Sequence, residues 1–242
     1  MSSVRPPSVA DRILPLAGVV YALLLVLGAV LFPSPPAGDL PAASDPTWLA
    51  QHSGPVAAQA VLRIFAALAF TLLAIAVART CHSVSVSEPG SDSGSASAPL
   101  LGTTAVVGGG AHAVLFMTAQ AVALGSALQS TGGGASDSIR ALGSLQSALL
   151  DVASIPAVLL FAAAGIAGLR GALPRWLAVL SLIGVPVAVI DGLSFPGGPF
   201  EAVGFVGLVF FLAWSLLVGI QLVVRPARTL QQRAAATVEA DR

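Results

Sequence analysis

Apolar runs alternate with short polar segments along the whole chain, and this pattern predicts a bundle of membrane-spanning helices. A bilayer core takes about 20 apolar residues in helical form. Six runs approach that length, and the fifth is the shortest, with Pro186 near its end. The predicted spans cover residues 13–32, 56–78, 100–128, 141–169, 176–190 and 202–224. We therefore expect an all-α, polytopic transmembrane bundle with six spans.

The segments between the spans are polar and are predicted to have no core of their own. Residues 33–55 are long enough to fold over one mouth of the bundle, and residues 80–99 are rich in Ser, Gly and Pro, which is typical of a flexible linker. The prolines and glycines of residues 192–200 forbid a helix there. Short polar ends are expected at residues 1–12 and in the tail at 225–242.

The arginines predict the orientation of the bundle, because loops on the cytoplasmic side carry the positive excess. With the N-terminus inside, one outer arginine, Arg140, opposes nine inner ones. The inner arginines are Arg5, Arg12, Arg79, Arg170, Arg175, Arg225, Arg228, Arg233 and Arg242. Both termini are therefore predicted to be cytoplasmic, in a multi-pass membrane protein.

The composition excludes several classes of protein. The chain is 56% hydrophobic and 9% charged, with a mean hydropathy of +0.90, whereas soluble domains carry about 25% charged residues. Eleven arginines balance eleven acidic residues and lysine is absent, so nucleic-acid binding and lysine-bound cofactors are not expected. The one cysteine and three scattered histidines predict neither a disulfide nor a metal or haem site. No cofactor is expected, and the sequence indicates no protein partner.

Polar residues inside the apolar runs are the candidate functional groups, because each is costly to insert into a membrane. Arg63, His112, Gln120 and Asp151 are the clearest, and they fall in the middle or the outer half of their spans. Further candidates near the outer ends are Gln59, Gln146, Asp191 and Glu201, and the tryptophans Trp48 and Trp214 complete the set. We expect these side chains to line an outward-facing polar crevice.

Most of these residues also have a purely structural interpretation. Arg63 can extend to the outer headgroups, or form an ion pair with Asp151 that only joins two helices. His112 is more often bonded to a neighbouring helix than used as a ligand. The tryptophans are typical of interfacial or packing positions. Glycine-rich runs such as 108–110 and 204–207 favour close helix packing.

Three short motifs resemble those of uncharacterised six-helix membrane proteins of high-GC actinobacteria. They are Trp48-Leu-Ala-Gln-His52, Leu173-Pro-Arg-Trp176 and the late tryptophan Trp214. The resemblance implies the six-helix fold and a membrane location, and it implies no activity.

One functional hypothesis is a membrane-embedded enzyme that performs acid–base chemistry, a cyclisation or isomerisation, on a lipophilic isoprenoid-like molecule. Asp151 would be the acid, and His112 or Glu201 would handle the second proton. Arg63 and Gln120 would orient the substrate. The other predicted substrate contacts are Gln59, Gln146, Asp191, Trp48 and Trp214. The likeness to integral-membrane terpene cyclases is one of chemistry alone.

Two other hypotheses use the same residues. In the first, the chain is a carrier, exporter or self-protection protein that binds a small amphiphile, with Arg63 and Asp151 as a gate or proton relay. In the second, it is a structural membrane subunit, and the polar groups only fasten helices together. In all three, membrane lipid surrounds the bundle.

Overall fold

The computed structural model describes residues 13–32, 45–84, 97–194 and 204–240, with side chains in the last segment described as far as Val224. All of its regular elements are helical. They are α1 (Ala17–Leu31), α2 (Pro46–Val84), α3 (Ser97–Thr131), α4 (Ser136–Leu169), α5 (Arg175–Gly192) and α6 (Gly204–Ala240). A short 3-10 turn, Leu14–Leu16, precedes α1. The predictions for residues 1–12, for the centre of the 80–99 linker and for Glu201 lie outside the described residues.

Five of the six helices, α2 to α6, are long and apolar enough to cross a membrane. The remaining helix, α1, has 15 residues and is apolar. Together with the 3-10 turn it extends about 28 Å, close to the roughly 30 Å of a hydrocarbon core. The all-helical bundle predicted from the apolar runs is therefore confirmed.

The start of α2 differs from the prediction. The helix begins at Pro46, ten residues before the predicted position 56, so the second half of the expected loop is helical. Asp45 caps this end, because its Oδ1 accepts a hydrogen bond from the backbone N–H of Thr47 at 2.9 Å. The backbone kinks at His52 (φ −119°, ψ 16°), and Pro55 falls in the first turn after the kink, where proline is tolerated.

The helices form a closed ring in sequence order. Each one packs against the next, α6 returns to α1, and α2 also touches α4 and α6. Neighbours run antiparallel, which gives the bundle two ends. We call the end that holds Leu31, Pro46, Thr131, Ser136 and Gly192 the upper end, and the end that holds Leu14, Val84, Ser97, Leu169 and Arg175 the lower end.

Small residues let the helices approach closely. A Cβ on Gly108 would lie 2.7 Å from the backbone nitrogen of Leu160, and one on Gly109 would overlap the side chain of Ala74. Gly18 of α1 and Gly219 of α6 are in backbone contact at the closure of the ring. The close packing predicted for the 108–110 run is confirmed at its first two glycines, while Gly110 faces open space.

Candidate functional site

A partly open cavity of about 250 Å³ lies between α1, α3, α4, α5 and α6. It lies on the upper side of the aromatic core that fills the middle of the bundle. Its described lining residues are Tyr21, Leu25, His112, Phe116, Leu150, Asp151, Ala153, Ser154, Asp191, Ser194, Leu208 and Phe211. They combine two carboxylates, a histidine and several aromatic rings, and include no arginine.

Asp191, at the upper end of α5, is the best-connected polar residue of the cavity. The hydroxyl of Ser154 on α4 donates a hydrogen bond to its Oδ2. On the other side Gly207 of α6 leaves room for the carboxylate, which would overlap any Cβ placed there. Asp151 is close enough to Asp191 for the two carboxylates to interact electrostatically. Three helices therefore fix the position of the Asp191 side chain.

His112 forms the inner wall of the cavity and is 6% exposed. Its Nδ1 lies 2.7 Å from the backbone carbonyl oxygen of Ala153 on α4. Because a carbonyl can only accept, Nδ1 carries the hydrogen and Nε2 is left for other contacts. The ring stacks on Phe211 with centroids 5.2 Å apart and packs against Phe70 at 4.7 Å. The bond to a neighbouring helix is present, and the same ring faces the cavity.

Aromatic side chains make up much of the remaining wall. Tyr21 of α1 packs against Phe70 with ring centroids 5.0 Å apart and lies within electrostatic range of Asp191. Phe116 and Phe211 extend the wall along α3 and α6. Below the cavity, Phe161 packs edge-on against Phe211, with the two ring centroids 5.0 Å apart. A positive charge in this cavity would face both carboxylates and aromatic rings.

Three of the predicted site residues have other partners instead of lining the cavity. Gln59 donates from Nε2 to the backbone carbonyl oxygen of Gly28 at 2.9 Å, which ties α2 to α1. Trp214 is wholly buried, and its Nε1–H donates to the Ser181 hydroxyl at 2.9 Å. Trp48 stacks on the ring of His52, 4.5 Å away.

The remaining predicted residues, Arg63, Gln120 and Gln146, also lie outside the described cavity lining. Arg63 forms no ion pair with Asp151 among the residues that the structure describes, so the suggested salt bridge is absent there. Gln120 is 0% exposed and has no hydrogen-bond partner on either amide atom. The structure thus brings together Asp151, Asp191 and His112 around one cavity, and the other three predicted residues are not part of its described lining.

Several cavity residues do not stand out in the sequence. Ser154, Tyr21, Phe116 and Phe211 line the cavity but are not among the predicted site residues. Tyr21 could have been recognised as a candidate, because it is the only tyrosine of the chain and lies within an apolar span. Phe116 and Phe211 carry no such signal among ten phenylalanines.

Comparisons with known proteins do not assign this chain to a family. No protein-family model, no curated protein and no solved structure matches this chain. Within the described part of the chain, no group of three or more His, Cys, Asp or Glu side chains is placed to hold a metal ion. The chemistry of the site therefore has to be inferred from its own residues.

Proposed function

We propose that this chain is a multi-pass protein of a bacterial cell membrane that binds a small lipophilic molecule in the cavity and catalyses proton transfer on it. The observation that carries the proposal is the placement of Asp151, Asp191 and His112 around one partly open, aromatic cavity. Such a convergence of a few polar groups in an otherwise apolar cavity is the usual form of a small-molecule site.

The size of the cavity favours a small ligand. At about 250 Å³ it is slightly below the range of roughly 300–1,000 Å³ that is typical for drug-sized ligands. Leu25, Leu150 and Leu208 provide apolar wall next to the polar groups. A short, mostly hydrocarbon molecule, such as an isoprenoid-like chain, matches both the volume and the lining.

The lining supports acid–base chemistry with a cationic intermediate. A carboxyl group of the Asp151–Asp191 pair would donate a proton to a carbon–carbon double bond of the substrate. The carbocation formed in this way is stabilised by the faces of Tyr21, Phe116 and Phe211. Loss of a proton from a neighbouring carbon to a carboxylate or to Nε2 of His112 then gives an isomerised or cyclised product and restores the proton balance.

This assignment changes the roles expected from the sequence. Asp191 takes a place beside Asp151 as proton donor, because Ser154 and Gly207 hold it in the cavity. Arg63 and Gln120 are no longer assigned to orienting the substrate.

The test uses the purified protein in lipid nanodiscs, incubated in D₂O with short isoprenoid hydrocarbons and alcohols. Gas chromatography with mass spectrometry would detect isomers, cyclised products and incorporated deuterium. We expect Asp191→Asn and Asp151→Asn each to lower product formation about 10²–10⁴-fold, the usual contribution of a positioned acid or base. Asp137→Asn is the matched control, because Asp137 is exposed and pairs only loosely with Arg140 at 3.7 Å.

Two results would contradict the catalytic proposal. One is full activity in both cavity variants. The other is saturable binding of such a compound by the wild type without product or deuterium incorporation, which would favour the carrier hypothesis, since the same cavity would then be a transport or holding site.

A further inference from the structure

Gln120 is a buried side chain whose hydrogen-bonding capacity is unused. It lies on α3, is 0% exposed, and neither Oε1 nor Nε2 has a hydrogen-bond partner among the described residues. Buried polar atoms in native proteins are almost always paired, because an orphan atom has lost its water without compensation. No residue that the structure describes supplies that partner.

The contacts between α2 and α3 fix which residues of the two helices lie at the same height. Near the lower end, a Cβ on Gly102 would overlap the ring of His82, and one on Gly109 would overlap the side chain of Ala74. The two helices are antiparallel. Moving one residue forward along α3 therefore corresponds to moving one residue backward along α2.

This register brings Gln120 to the height of Arg63. Gln120 is eleven residues beyond Gly109, and Arg63 is eleven residues before Ala74. Eleven residues make three helical turns plus about 20°, so each side chain points nearly as its reference residue does. Since Gly109 and Ala74 face each other, Gln120 faces α2 and Arg63 faces α3.

The upper end of the same helix pair agrees with this register. Ala127 of α3 belongs to a small apolar cluster with Leu49, and Val56 of α2 packs against that cluster. The same register predicts that Ala127 of α3 and Val56 of α2 lie at the same height along the helix pair. The Arg63–Gln120 level therefore lies between contacts observed above and below it.

Arg63 also has unused hydrogen-bonding capacity. It is half-buried and makes no hydrogen bond or ion pair with any residue that the structure describes. A guanidinium offers five N–H donors in a planar fork that matches the oxygens of a carboxylate or phosphate, and an amide nitrogen adds two more. The two side chains face the same helix interface with no described carboxylate to neutralise Arg63.

We propose that Arg63 and Gln120 form an anion site that binds the oxygens of a phosphate or carboxylate group, either from a lipid headgroup or from a free anion. The site is separate from the cavity, although Phe116 of the cavity wall is only one turn below Gln120. It does not depend on the proposed catalytic function, because none of the proton-transferring residues belongs to it.

The experiment compares nanodiscs of phosphatidylglycerol with nanodiscs of phosphatidylcholine, and adds inorganic phosphate to delipidated protein in detergent as a second arm. Thermal unfolding and native mass spectrometry report stabilisation and bound lipid. We expect an anion-dependent rise in Tm for the wild type. Affinity for the anion should fall at least tenfold in Arg63→Gln and in Gln120→Leu. Arg140→Gln, which removes an exposed arginine at the same end, is the control and should bind like the wild type.

The two arms identify the source of the anion. A shift with phosphatidylglycerol alone supports a lipid headgroup, and a shift with inorganic phosphate supports a free anion. Gln120→Leu also distinguishes an anion-binding role of the amide from a purely structural one. The variant should keep or gain stability without anion, because it removes an orphan group, and should lose the anion-dependent shift. The proposal is overturned if neither anion shifts the wild type, or if Arg63→Gln and Gln120→Leu keep the full shift.

Discussion

At the scale of single residues, Gly207 has the most specific role in the cavity. It is the residue of α6 against which the Asp191 carboxylate lies, and any side chain there would occupy the same space. The hydrogen bond from Ser154 reaches the same carboxylate from α4. The position of the acid therefore depends on the absence of one methyl group.

We predict that Gly207→Ala displaces Asp191 and destabilises the protein. Inserting a methyl group into a tightly packed contact usually costs about 1–3 kcal/mol. Thermal unfolding in detergent should show a lower Tm, and any activity that depends on Asp191 should fall as well. Gly110→Ala is the matched control, because a Cβ at that helical glycine meets nothing within 4 Å. Equal Tm values for the two variants would show that Gly207 is not required for this packing.

The candidate site could be predicted from the sequence only in part, for reasons that concern single side chains. The cost of inserting a polar group pointed to Asp151, His112 and Asp191, and the structure places all three around one cavity. It does not show which way a helix is rotated, so the sequence does not reveal that Arg63 lies outside the cavity lining that contains Asp151. Tyr21 was missed because its role depends on the packing of α1 against the rest of the ring.

At the scale of elements, α5 and α6 are joined by a buried hydrogen bond. The Trp214 Nε1–H donates to the Ser181 hydroxyl, which in turn donates to the Leu177 carbonyl oxygen at 2.8 Å. Trp214 also packs edge-on against Phe161 of α4 with centroids 4.7 Å apart. This cluster connects three helices below the cavity.

We predict that Ser181→Ala destabilises the bundle by about 1–3 kcal/mol, because it leaves the buried Trp214 N–H without an acceptor. Denaturation monitored by tryptophan fluorescence would measure the change. The control is Ser144→Ala. The exposed Ser144 hydroxyl donates only to the Arg140 carbonyl oxygen of its own helix, so its loss should change the free energy of unfolding by less than about 0.5 kcal/mol. A Ser181→Ala variant as stable as the control would contradict this role for the hydrogen bond.

The number of helices followed from the sequence, because a long apolar run has few alternatives to a membrane helix. The start of α2 did not follow. Pro55 and the polar residues before it indicated a loop, whereas the backbone absorbs the proline through a kink at His52. Local propensity alone does not reveal a kink of this kind, since the added turns are held by tertiary contacts such as the packing of Leu49 with Ala127 and Ile139.

At the scale of the whole molecule, the distribution of arginine predicts which end faces the cytoplasm. The upper end has Arg140, and the lower end has Arg170 and Arg175 in one short turn. By the positive-inside rule we predict that the lower end is cytoplasmic and that the cavity lies toward the outer side.

We predict that a membrane-impermeant maleimide labels Ser138→Cys in intact cells and labels Arg175→Cys only after lysis. Both positions are exposed in the structure, and they lie at opposite ends of the bundle. The native Cys81 is buried and should contribute little background. The wild type, carrying Cys81 alone, is the control. Labelling of Arg175→Cys in intact cells would show that the bundle has the opposite orientation.

The contact between Gly18 and Gly219 has a consequence for biosynthesis. The two residues are about 200 positions apart, so at synthesis rates of roughly 5–20 residues per second the first helix emerges from the ribosome about 10–40 s before its last partner. During that interval the face of α1 that bears Gly18 can be covered only by lipid or by the translocation machinery. Assembly of the bundle therefore finishes only after α6 has been synthesised, and a nascent chain released before that point would leave that face uncovered.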